Sequence, residues 1–156
     1  MEQSVNSIDE RSDHRCPIVA IGASAGGLDP VRRFLSVLPP DFGFALVFIQ
    51  HLSSKYKSIL NYLLQSRRPD LAIAEISDGE EAVSGRLYLC PPGQDVTIDN
   101  GVFHIFPSPA GQIHLPIDEF FFSLAKDAGA RATAVILSGA GTAMKSFFAP
   151  FNYFER

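Results

Sequence analysis

Apolar residues along the chain fall into two alternating patterns. Short runs at Ile18-Val19-Ala20-Ile21, Phe44 to Ile49, Leu71 to Ile76 and Thr133 to Leu137 have the length and β-branched content of strands. Where such a run lacks polar alternation, it predicts a parallel strand covered on both faces. Between the strands the period lengthens. Leu28, Val31, Phe34, Leu35 and Leu38 recur at helical spacing, with Pro30 in the first turn and Pro39-Pro40 as the stop. Ser53 or Ser54 can cap a second helix whose stripe is Tyr56, Ile59, Leu60, Leu63 and Leu64. Pro116 to Ala128 predicts a third helix, with Ile117, Phe120, Phe121 and Leu124 on its apolar face and Gly129 closing it.

This β-α-β-α-β rhythm argues for an α/β fold, doubly wound, with a mainly parallel sheet and helices on both faces. The middle of the chain departs from it. Arg86 to Cys90 reads as a strand, and Val96 to Ile98 with Val102 to Phe106 flank Asp99-Asn100-Gly101, whose Asn-Gly pair marks a hairpin turn. An antiparallel hairpin excursion is therefore expected near residues 96–106. Residues 1–15 offer few apolar side chains to offset ordering entropy and read as a disordered leader. A single domain is expected over 16–156, since a chain of 156 residues suits one core.

Composition narrows the function classes. Net charge is −4, and Lys and Arg cluster no further than the pairs Arg32-Arg33 and Arg67-Arg68, so neither nucleic acid nor an anionic membrane is an expected partner. No apolar run approaches the roughly 20 residues of a membrane span, and the polar, acidic first residues lack the signature of a signal peptide. A cytoplasmic protein is the expectation. Cys16 and Cys90 form no C-x-x-C pair, and the histidines His14, His51, His104 and His114 show no metal-ligand spacing, so no disulfide framework and no metal are expected. Neither G-x-x-x-x-G-K-[ST] nor G-x-G-x-x-G is present, and no cofactor is implied.

In open parallel sheets the ligand crevice lies beyond the carboxyl ends of the strands. The first strand delivers Ser24 there, the second His51, and the strand ending at Leu137 a turn of small residues, Ser138 to Gly141. A serine hydroxyl becomes a useful nucleophile when a base within hydrogen-bond reach takes its proton, and neutral histidine is the usual base. The turn Gly22-Ala-Ser24-Ala-Gly26-Gly27 opens a helix, so backbone N–H groups after Ser24, at Ala25 and Gly26, can stabilise an oxyanion. The turn also fits a phosphate-binding or purely packing role. The other chemical side chains read as structural: Cys90 as a buried thiol, Phe120-Phe121-Phe122 as core with one exposed edge, and Asp78-Gly79-Glu80-Glu81 as a solvated loop.

Four blocks, IVAIGASAGG (18–27), VFIQHLSS (47–54), GRLYLCPPGQDVTI (85–98) and HLPIDEFFFSLAKDAGARATAVILSGAG (114–141), resemble the catalytic domain of the CheB-type protein-glutamate methylesterases in order and spacing. The last block is similar to the version fused to a methyltransferase. The resemblance implies hydrolysis of glutamate methyl esters on chemotaxis-type receptors, with glutamine deamidation in some members. It places the nucleophile at Ser24 and the base at His51, and it implies a methylated receptor or other protein substrate and, beside it, a methyltransferase partner. The family's acid lies in a segment written LSG-x-G-x-D-G, which aligns with Leu137 to Met144 and puts Ala143 at the acid position and Met144 at the following glycine. An impaired enzyme is expected, unless Asp118 or Asp127 supplies a carboxylate, and both precede the strand that should carry it. Against the family pattern, the domain is expected to be incomplete at its C-terminus. The competing reading is a non-catalytic remnant or receptor-binding module.

Overall fold

The computed structural model describes residues 15–23, 28–50, 62, 64–111 and 115–137. Five parallel strands form the main sheet: β1 (Ile18–Ala23), β2 (Ala45–Gln50), β3 (Ala72–Glu75), β4 (Arg86–Leu89) and β7 (Ala132–Leu137), in the order β3-β4-β2-β1-β7. β5 (Gln94–Asp99) and β6 (Val102–Pro107) pair antiparallel in a separate two-stranded sheet. The expected α/β architecture with its hairpin excursion is the observed one. β1, read from an unbroken apolar run, lies between β2 and β7 and is covered on both faces.

Each face of the sheet carries its own helix. α1 (Leu28–Val37) lays Val31 and Leu35 against Ile21, Leu46, Phe48, Leu87 and Leu89. Residues 62 and 64–67 are the described part of a second helix, α2, and Leu64 joins the same core. The remaining stripe positions expected for it, Tyr56, Ile59, Leu60 and Leu63, lie outside the described residues. On the opposite face α3 (Pro116–Ala128) packs Phe120, Phe121 and Leu124 over Ala20, Ala45, Val47, Tyr88 and Ala134. Pro116 starts α3 where its missing N–H costs nothing, and Gly129, at φ +49°, takes a positive-φ conformation that favours glycine and ends it.

Polar side chains tie these layers. The Arg68 guanidinium donates to the carbonyls of Leu35 and of Leu38 (2.7 Å) and pairs with Asp70 at 2.7 Å, so it closes the carboxyl end of α1. The same hydrogen bond from Arg68 holds the Asp70 carboxyl below its ordinary value. Burial pushes the Tyr88 phenol up. Its oxygen accepts from Val83 N–H at 3.0 Å and donates to the Glu81 carbonyl at 3.2 Å.

The hairpin turn is the Asn100-Gly101 pair, at φ +50° and +75°, as a two-residue primed turn requires. One expectation changes here. The segment Asp78 to Glu81 is more than a solvated loop: Gly79 N–H donates to Phe103 O and Phe103 N–H to Glu80 O, both at 2.8 Å, and Asp78 accepts from Ile105 N–H. These bonds satisfy the outer edge of β6, and composition alone gives no sign of them. β5 is protected by a side chain, since Ile98 N–H donates to Ser123 Oγ at 3.1 Å.

Candidate active site at the carboxyl ends of the strands

Parallel pairing fixes where the strands stop. Ala23, the last residue of β1, is the register partner of Gln50, the last of β2, and of Leu137, the last of β7. Three strand ends therefore lie level, with β1 in the middle, and neighbouring strands run about 4.8 Å apart. Ser24, His51 and Ser138 are the next residues along the chain. They, together with Ala25, Gly26 and Ala143, lie outside the described residues, so the structure defines the floor on which the candidate groups stand.

That floor is closely packed. Gly22 belongs to β1 and not to the turn, contrary to the reading that stopped the strand there. A Cβ at Gly22 would come within 2.5 Å of Ile117 Cγ2 and 3.2 Å of Phe121 Cζ, so the first turn of α3 sits directly on β1 two residues before Ser24. Glycine is needed here for close approach rather than for a positive φ. Beside it, Gln50 ends β2 with only 4% of its surface exposed, a buried amide at the level of the strand ends.

The two carboxylates named as substitutes for the acid part company. Asp127 Oδ1 pairs with Arg15 at 3.1 Å and its Oδ2 accepts from Gly101 N–H at 3.1 Å, so it is committed to the hairpin turn. Asp118 lies nine residues earlier on α3, about 14 Å away along the helix axis at 1.5 Å per residue. It follows Ile117, on the end of α3 that packs on Gly22. Burial pushes its carboxyl above the ordinary value, and it has no hydrogen bond or ion pair among the described residues. Chain order set Asp118 aside, yet α3 runs back so that its first turn meets the strand ends.

Other candidates take structural places. Cys90 is buried with its Sγ 3.3 Å from the Gln94 carbonyl oxygen, His104 pairs across the hairpin with Thr97, and Phe122 is the exposed member of its aromatic run. Among the described residues no group of three or more His, Cys, Asp or Glu is placed to hold a metal ion, and no helix is long and apolar enough to cross a membrane.

Comparison with known proteins bears on this frame. The family model described as CheB methylesterase matches residues 19–143. A protein-glutamate methylesterase/protein-glutamine glutaminase 2 of Xanthomonas oryzae pv. oryzae is 37% identical over 129 residues, covering 80% of this chain and 36% of the relative. The protein-glutamate methylesterase/protein-glutamine glutaminase of Escherichia coli is 34% identical over 133 residues, with the same two coverages of 80% and 36%. The chain thus spans about 36% of the length of these curated relatives. Among solved structures, the CheB methylesterase catalytic domain of Thermotoga maritima superposes with a TM-score of 0.68 at 29% identity, covering 81% of this chain and 69% of that one. With a family match over most of its length, and strand ends arranged as an open parallel sheet arranges a site, the chain belongs to the CheB methylesterase family.

Proposed function

We propose that this chain carries the serine–histidine centre of a protein-glutamate methylesterase, acting on glutamate methyl esters, or glutamine amides, of a chemotaxis-type receptor in the cytoplasm. The observation that carries this reading is the register of Ala23 with Gln50, which supports Ser24 and His51 as chain neighbours of a level strand pair. In the proposed reaction His51 takes the hydroxyl proton as Ser24 Oγ attacks the ester carbonyl, and N–H groups of Ala25 and Gly26 hold the oxyanion. His51 then protonates the departing methoxide, releasing methanol. Water, deprotonated by His51, frees the glutamate and restores Ser24.

Ala143 at the acid position makes this centre slow. In serine proteases, neutralising the acid that orients the histidine lowers kcat about 10⁴-fold, while the rest of the site still outpaces water. The same residue favours the second reading, a receptor-binding module without turnover. Hydrolysis of a methylated receptor fragment, or of a simple activated ester, by the wild type, Ser24→Ala and Ala143→Asp proteins separates the two. Turnover that Ser24→Ala abolishes and Ala143→Asp raises by about 10²-fold or more is expected for the first reading. Equal background rates in all three proteins overturn it. A methyltransferase partner belongs to the same proposal and is tested by co-purification with the full signalling set.

A further inference from the structure

On the face of the sheet covered by α1, a cavity of about 380 Å³ opens between α1, the end of α2 and β3, lined chiefly by Arg32, Leu35, Leu64, Arg67, Leu71 and Ile73. Its size is at the lower end of the roughly 300–1,000 Å³ typical of small-molecule sites. Apolar atoms make up most of the wall, and four polar residues, Arg32, Ser36, Arg67 and Arg68, stand in it. Ser36 donates to the Arg33 carbonyl at 2.7 Å, and Arg68 is spent on Leu35, Leu38 and Asp70. Arg32 is different. Its Nε is shut off from solvent and has no acceptor among the described residues. Among the described residues its Nη1 reaches only Asp29, at 3.5 Å, and that carboxylate is 79% exposed.

We propose that this cavity binds a small amphiphilic carboxylate, with its alkyl chain against Leu35, Leu64, Leu71 and Ile73 and its carboxylate on Arg32. A buried guanidinium N–H without an acceptor is a standing cost that an anion removes, and the bond it forms is charge-assisted. Arg67 adds a second positive charge to the rim. The aliphatic walls select the rest of the ligand: an inorganic anion would leave them uncovered, and an alkyl cation would meet two arginines. The site is independent of Ser24 and His51, so it stands or falls apart from the hydrolytic reading.

Titration calorimetry with decanoate below its micelle concentration tests the proposal on the whole chain. Saturable one-to-one binding is expected. Arg32→Gln should weaken it at least about tenfold, and Arg32→Lys, which keeps the charge but not the planar fork, should weaken it less. Decanol and decyltrimethylammonium should bind more weakly than decanoate, and phosphate should not compete. Should Arg32→Gln fail to fold by circular dichroism, the loss on Arg32→Lys carries the test. No saturable binding, equal affinity in wild type and both variants, or equal affinity for the alkyl cation would overturn the assignment.

Discussion

The two faces of the main sheet are packed differently. Under α3 the small sheet residues Ala20, Gly22, Ala45 and Ala134 lie beside Val47 and Tyr88, and the helix brings the large Phe120 and Phe121. Under α1 the sheet is large, with Ile21, Leu46, Phe48, Leu87 and Leu89, and the helix brings Val31, Leu35 and Leu38. The first arrangement lets backbone and side chain close to contact distance at Gly22. The second holds the helix off and leaves the cavity beside Arg32. Covering both faces is thus not the same as filling both. On the tightly filled face the first turn of α3 presses on β1 two residues before Ser24, where the proposed site needs a rigid floor.

Truncations measure this contrast most strongly. Phe120→Ala, at a position with no exposed surface, should cost about 3–5 kcal/mol in urea unfolding, while Leu35→Ala on the looser face should cost about 2–3. Equal losses would mean that the faces are equally tight. Next comes overpacking. Gly22→Ala puts a methyl group 2.5 Å from Ile117 Cγ2 and should cost about 1–3 kcal/mol, with Ile117→Ala in the same chain, which removes that Cγ2, recovering part of it. Arg68→Met removes the closure of α1 and should lower the urea midpoint slightly, an effect confined to the α1 face in hydrogen exchange.

The smallest effect is a pH dependence at the start of α3. Burial raises the Asp118 carboxyl, so the folded state prefers the protonated form. A group raised on folding contributes stability below its unfolded value and loses it as pH rises through the folded one. Stability of Asp118→Asn relative to wild type should therefore improve as pH climbs through the carboxylate range, measured by urea unfolding at a series of pH values. A difference that is flat with pH would show that the carboxyl is not perturbed.

Much of this was legible in the sequence, for identifiable reasons. Unbroken apolar runs gave β1, β2 and β7, Pro116 and Gly129 bounded α3, and Asn100-Gly101 marked the hairpin, because each signal acts within a few residues. Long-range facts left less trace. A glycine inside β1 reads like the start of a turn until Ile117, from a distant helix, is found against it. The Asp78 to Glu81 segment looks solvated because its ties to β6 run chiefly through backbone atoms. Asp118 was ranked by chain order, whereas an antiparallel helix returns its first turn to the end of the strand. The Arg32 cavity has no periodic signature, since a gap arises from the sizes of residues on three separate elements.

The Arg15 guanidinium, held by Asp127 beside the Gly101 turn, sets a direction of approach. Any polypeptide placed ahead of residue 15 is delivered at the amino ends of the strands. β1 is six residues long, about 20 Å at strand rise, so such a segment starts that length of sheet away from the carboxyl ends, where the proposed site stands. A reporter joined directly ahead of Arg15 would therefore start from the far end of the sheet from the proposed site.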